Sequence, residues 1–170
     1  VNPGLARING FDVADYTGRY VLPGLVDLVL PALLLWQTNA LRWPGFGLLQ
    51  GLGLLIFLAG LAVMVWLVRA FVKYGHGTPA PFDPPRQFMR RGLYLWVRNP
   101  LVLASVVVLP LGEALFFKSS WLLLYMAVLF IIMHCYIVLI EEKELERRFG
   151  RPYQKYKRTV PRWIPRRPCE

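Results

Sequence analysis

Charge and apolarity alternate along this chain in long blocks. Four apolar runs, at residues 20–36, 47–71, 101–117 and 121–140, are separated by segments that hold most of the ionisable residues. A helix needs about 20 residues to cross a hydrocarbon layer of ~30 Å. The second and fourth runs meet that length. The second carries only Arg69, near its end, and the fourth is uncharged unless His134 is protonated. The first run is short and interrupted by Pro23, Gly24, Asp27 and Pro31; the third contains Pro110 and Glu113. Both sit near the lower limit of length. Their prolines are tolerable where neighbouring helices satisfy the freed carbonyls. The pattern predicts an all-α fold, a polytopic membrane helix bundle of about four transmembrane helices with a cytoplasmic C-terminal segment. One domain is expected over 1–170, with two spans in 1–72 and a loop, a helical hairpin and a tail in 73–170.

Composition agrees with that pattern. Of 170 residues, 56% are hydrophobic and 18% charged, and the mean hydropathy of +0.42 lies outside the range of an ordinary soluble domain. The net charge of +10 could signal nucleic acid, but its distribution follows membrane topology instead. Residues 73–98 hold Lys73, Arg86, Arg90, Arg91 and Arg98 against Asp83, and the tail beyond Ile140 is strongly basic. The connection between the first two runs has only Arg42, and that between the last two only Lys118. This bias puts the central segment, the tail and the N-terminus on the cytoplasmic side. The short chain and its Arg-, Pro- and Trp-rich tail suggest a bacterial inner membrane. Cys135 and Cys169 form no metal-ligand spacing or disulfide framework. No metal and no nucleic-acid partner are expected, and oligomeric state is unreadable. "KSS" (118–120) joins the last two runs, so they form a tight antiparallel hairpin. "RNP" (98–100) and "IEE" (140–142) then return to one side of the membrane and can face each other.

Several polar groups could carry chemistry. Asn99 and Pro100 suit a helix start, with Asn as N-cap and Pro at the first turn, and Arg98 could simply reach lipid phosphate. The alternative is an anion site, in which Arg98 and the helix N-terminus grip a carboxylate. Glu141 and Glu142 close a helix where the macrodipole prefers cations. Glu144 has Arg148 at helical spacing, a pair contributing roughly 0.2–0.5 kcal/mol, but the adjacent acids lack such an explanation. They could form a cation site. S-adenosylmethionine, with a carboxylate, an ammonium and a sulfonium, suits Arg98 at one pole and Glu141 and Glu142 at the other. In "GHGT", Gly75, His76, Gly77 and Thr78, two glycines permit close backbone approach to a ligand, although a plain loop explains them equally. His134 lies two helical turns before Glu141 and can share its face; it is also readable as a packed, hydrogen-bonded residue. Glu113 is read as helix packing, and Asp27 has no assigned role.

The stretches "GHGTPAPFDPP", "RRGLYLWVRNP", "LGEAL", "EEKEL" and "RRFGRPYQKYKRTVPRWIPR" together resemble the isoprenylcysteine carboxyl methyltransferase and phospholipid methyltransferase superfamily. The resemblance covers residues 73–168 and implies an S-adenosyl-L-methionine-dependent membrane methyltransferase. It links Gly75, Gly77, Glu141 and Glu142 to the cofactor, carries the Arg-Asn-Pro element over to Arg98, Asn99 and Pro100, and matches Tyr94 to the tyrosine before it; His76, Thr78 and His134 complete the candidate cofactor-binding set from their positions beside these residues. Arg98 and Glu142 would be catalytic, and Tyr153 and Tyr156 would bind the substrate, a membrane lipid or lipidated acceptor. Two positions depart from the family pattern: Val102 replaces an expected tyrosine, and Leu93 replaces a proline. They bear on the acceptor more than on the cofactor. The acceptor would be an isoprenylcysteine-type carboxylate or a phospholipid amine. A non-catalytic lipid-binding scaffold, or a small transporter using Asp27, His134 and Glu113, is the competing reading.

Overall fold

The computed structural model describes residues 7–8, 11–12, 24–40, 45–75 and 90–167. Near the N-terminus, β1 (Arg7–Ile8) and β2 (Phe11–Asp12) form a minimal antiparallel ladder, with Arg7 opposite Asp12 and Ile8 opposite Phe11. Among the described residues, everything else of regular structure is helical. The helices are α1 (Leu25–Gln37), α2 (Leu48–Gly75), α3 (Pro100–Phe117), α4 (Ser120–Phe149) and α5 (Arg151–Thr159).

α2, α3 and α4 are each long and apolar enough to cross a membrane. The described part of the first apolar run appears as α1, a shorter apolar helix; residues 20–23 of that run lie outside the described residues. α3 lies at the centre. In its most apolar window 39% of residues are buried, against 17% in α2 and 6% in α4. The outer helices turn Leu55, Trp66, Leu124, Ile131 and Ile132 outward, where lipid takes the place of a core.

α2 and α3 approach closely because both offer glycine at the crossing. A Cβ on Gly53 would lie 2.6 Å from Phe116 N and 2.7 Å from Gly112 O. One on Gly112 would lie 2.7 Å from Phe57 N. Small residues at such a crossing let two backbones meet, which is how helices associate without a hydrophobic gradient between them. The α3–α4 hairpin is as tight as its sequence suggests. Lys118 takes the left-handed conformation at φ 51°, and the N–H groups of Lys118 and Ser119 both reach Ala114 O.

Three helices contain a wider turn, with a backbone bond from residue i to i−5: Leu30 to Leu25 in α1, Leu109 to Ala104 in α3 and Glu142 to Ile137 in α4. Such turns shift the phase of the side chains that follow and recur at functional sites.

Beyond Gly150 the tail forms α5, a nine-residue helix. Gly150, at φ 54°, makes the corner that folds α5 back on α4. Tyr153, Tyr156 and Val160 bury against Leu145 and Phe149. The chain then runs extended along the segment before α3. Arg98 N–H donates to Pro161 O at 2.9 Å, and Arg166 N–H donates to Trp96 O at 2.9 Å. The tail is thereby strapped across the mouth of α3.

Candidate functional site at the helix-hairpin mouth

The approach to α3 begins with a tight helical turn at Gly92–Leu95 and ends on Asn99 and Pro100. Pro100 occupies the first turn, where its missing N–H costs nothing. Asn99 is the N-cap residue, but contrary to expectation its side chain caps no helical N–H; Nδ2 donates to Arg162 O at 3.4 Å instead. Arg98 is thus fixed by its backbone on one side and by helix geometry on the other.

α4 supplies the opposing acids. Residues 120–140 already cover about 30 Å at 1.5 Å per residue, so the membrane-crossing part of α4 is read as ending at Ile140. Glu141 and Glu142 project just beyond. Glu142 is only 4% exposed, and three cations converge on it. Arg98 Nη1 donates to Oε1 at 2.7 Å. Arg162 forks onto both oxygens, Nε to Oε1 at 2.7 Å and Nη2 to Oε2 at 3.0 Å. Lys157 Nζ stands 3.6 Å from Oε2 and also pairs with Glu146 at 3.3 Å. A guanidinium fork of this kind matches a carboxylate in both geometry and charge.

Burial alone would push the Glu142 carboxyl up. The Arg162 hydrogen bonds and the charges of Arg98, Arg162 and Lys157 outweigh it and hold the group below its ordinary value. The same hydrogen bonds to Glu142 raise Arg162. Glu141 behaves oppositely. Burial, helped by the Glu142 charge beside it, pushes it up to about 7. Among the described residues Glu141 has no hydrogen-bond or ion-pair partner. The two neighbours are therefore one committed acid and one uncommitted acid.

The structure bonds Arg98 and Glu142, expected at opposite poles of one guest, directly to each other. Tyr153 and Tyr156, expected to contact substrate, are each 3% exposed and pack under the tail. Tyr156 Oη donates to Tyr94 O at 2.7 Å, which ties α5 to the turn before α3. Burial raises the phenols of Tyr94, Tyr153 and Tyr156, so all three stay protonated. His134 lies on the α4 face that leads to the mouth, but its Nδ1 accepts a hydrogen bond from Trp163 Nε1 at 2.9 Å. Its ring also packs near Phe130 and Trp163. It anchors the tail. Gly75 is the last residue of α2; His76, Gly77 and Thr78 lie outside the described residues.

Arg162, Lys157 and Trp163 were not singled out as site residues. Arg162 is twenty positions from Glu142, and the corner at Gly150 breaks the helical periodicity that would have connected them. Only the Arg-Pro-Trp-rich character of the tail hinted at their presence.

The family model for phospholipid methyltransferase matches residues 49–152, well over half the chain. The chain belongs to the phospholipid methyltransferase family. That stretch runs from α2 through the hairpin to the start of α5, and so takes in Arg98, Glu141 and Glu142; Lys157 and Arg162 lie beyond it. The family is one of membrane methyltransferases, and three helices able to cross a membrane agree with it. Comparison with curated proteins and with solved structures gave no match.

Proposed function

We propose that the protein transfers the methyl group of S-adenosylmethionine to a lipophilic acceptor held in the membrane. The observation that carries this reading is one unfilled donor of Arg98 and one unpaired acid beside the Glu142 hub. Arg98 Nε is buried without a hydrogen-bond partner, and Glu141 has none among the described residues. A cationic donor and an acid, both unsatisfied and held at one helix mouth, complement the carboxylate and ammonium of an amino-acid moiety. The residues present therefore fit this cofactor. Glu142 serves as the positioning acid that fixes Arg98 and Arg162, and Gly75, His76, Gly77 and Thr78 would contribute backbone from the α2 end. When bound, the cofactor would supply an electrophilic methyl group on sulfonium.

The protein's part is positioning and exclusion of water. Arg98 orients a carboxylate, and the apolar faces of α3 and α4 admit a lipid chain from the side. If the acceptor is an amine, Glu141 takes the proton it releases, a task suited to a carboxyl near 7. If it is an isoprenylcysteine-type carboxylate, no proton needs a home. The basic tail and the 73–98 segment support a cytoplasmic setting for this edge, in a bacterial inner membrane.

Titration calorimetry of the purified protein with S-adenosylhomocysteine tests the proposal. Binding is expected, weakened in Glu141→Gln by about 1.5–3 kcal/mol, the range for bonds to a charged group. A folded protein that takes up no S-adenosylhomocysteine would remove the methyltransferase reading. Labelled methyl recovered in the lipid extract, as ester or as amine, identifies the acceptor class.

A further inference from the structure

A second polar constellation lies inside the bundle, away from the mouth. Ser105 sits five residues into α3 from Pro100, about 7 Å below that end, and Glu113 about 20 Å below it. Asp27, on α1, is 2% exposed. Its Oδ1 accepts a hydrogen bond from Ser105 Oγ at 2.7 Å, and its Oδ2 is buried with no partner. Deeper along α3, Glu113 Oε2 is also buried and unpaired. Tyr125, from α4, reaches the residue before Asp27. Its single hydroxyl proton is committed to Val26 O at 2.7 Å. α2 packs on α3, but its cations Arg69 and Lys73 are exposed. Among the described residues, neither Asp27 nor Glu113 has an ion-pair partner.

Asp27 and Ser105 each fall in one of the wide turns, at Leu25–Val29 and Leu103–Val108. The two irregular turns meet through their side chains, so the chain brings these groups together by departing from ordinary helical phase. An ionised carboxyl in this setting is disfavoured, because it has lost its water and gained no cation. A proton removes that charge. Among the described residues no cluster of His, Cys, Asp or Glu reaches the size of a metal site. The unsatisfied oxygens therefore call for a proton in preference to a metal ion.

We infer that Asp27 and Glu113 are two intramembrane proton-binding carboxyls, each holding an exchangeable proton inside the bundle. They stand apart from the Glu142 mouth and do not depend on the methyltransferase reading.

Dicyclohexylcarbodiimide tests it on the full-length protein in detergent. This apolar reagent takes the acidic proton onto nitrogen while the carboxylate oxygen bonds its central carbon. Transfer of the acyl group to nitrogen then leaves a stable adduct, which peptide mass spectrometry locates. The expected result is an adduct on Asp27 or Glu113 that is lost as pH rises and is indifferent to sodium at fixed pH. Three results overturn the inference: no adduct on either residue at any pH, an adduct independent of pH, or one abolished by sodium. Infrared difference spectra of the unmodified protein give a check that needs no variant. The carboxylic C=O band must fade over the same pH range, and its absence at low pH would equally overturn the inference.

Discussion

Glu142 and Asp27 are hidden from solvent to nearly the same degree, yet the chain satisfies them by opposite means. Glu142 stands at the membrane edge, where long basic side chains from the tail can reach it, and three cations do. Asp27 lies within the apolar layer, where a cation would itself need neutralising, and it has one serine hydroxyl and one bare oxygen. Depth sets the difference. At the edge a buried acid can be kept charged by guanidinium groups whose far ends stay hydrated; in the middle, giving up the charge costs less than importing a counter-ion.

The largest test of that contrast is Glu142→Ala. It strands Arg98 and Arg162 against each other and frees the tail strap. Breaking a buried pair from one side costs about 3–5 kcal/mol, which thermal unfolding in detergent should register together with loss of S-adenosylhomocysteine binding. The pH dependence follows from the depressed carboxyl. Its contribution to stability is complete above the ordinary value of 4.5 and disappears as pH falls through the lower folded value. The melting temperature of the native protein should therefore carry an acid-side decline below about pH 4.5 that Glu142→Gln lacks.

Ser105→Ala should have a middling effect. If Asp27 is neutral, losing this hydrogen bond costs about 0.5–1.5 kcal/mol; if it is charged, the cost rises to about 1.5–3. The smaller figure is expected. Measured by the same melts, the larger would erase the distinction between the two regions. Glu144→Ala should do least. Glu144 pairs with Arg147 and Arg148 on the outer face of α4, and exposed helical pairs contribute about 0.2–0.5 kcal/mol. A drop comparable to that of Glu142→Ala would mean that burial does not govern these acids.

The Glu144–Arg148 pair was legible from spacing alone, because both partners lie on one helix four residues apart. So were the long apolar helices, the "KSS" hairpin and the shared side of "RNP" and "IEE". Each follows from local rules: run length against bilayer thickness, charge bias at run ends, and the reach of a three-residue turn. The glycine crossing of α2 and α3 was not legible, since Gly53 and Gly112 acquire meaning only when their backbones meet. Nor was the role of Tyr153 and Tyr156, whose motif reads the same whether the rings face a substrate or a core.

What the sequence determined unaided was the solvent of each segment: which residues meet lipid, which meet water, and therefore the all-helical bundle and its basic edge. The pairing of acids lay beyond it. Glu142 and Arg162 are separated by a reversed helix, Asp27 and Ser105 by 78 positions that include the whole of α2, and contacts across such distances follow from packing angles and wide turns that no local pattern encodes. Only the folded bundle decided that one buried acid is gripped by cations while another is left holding a vacant oxygen.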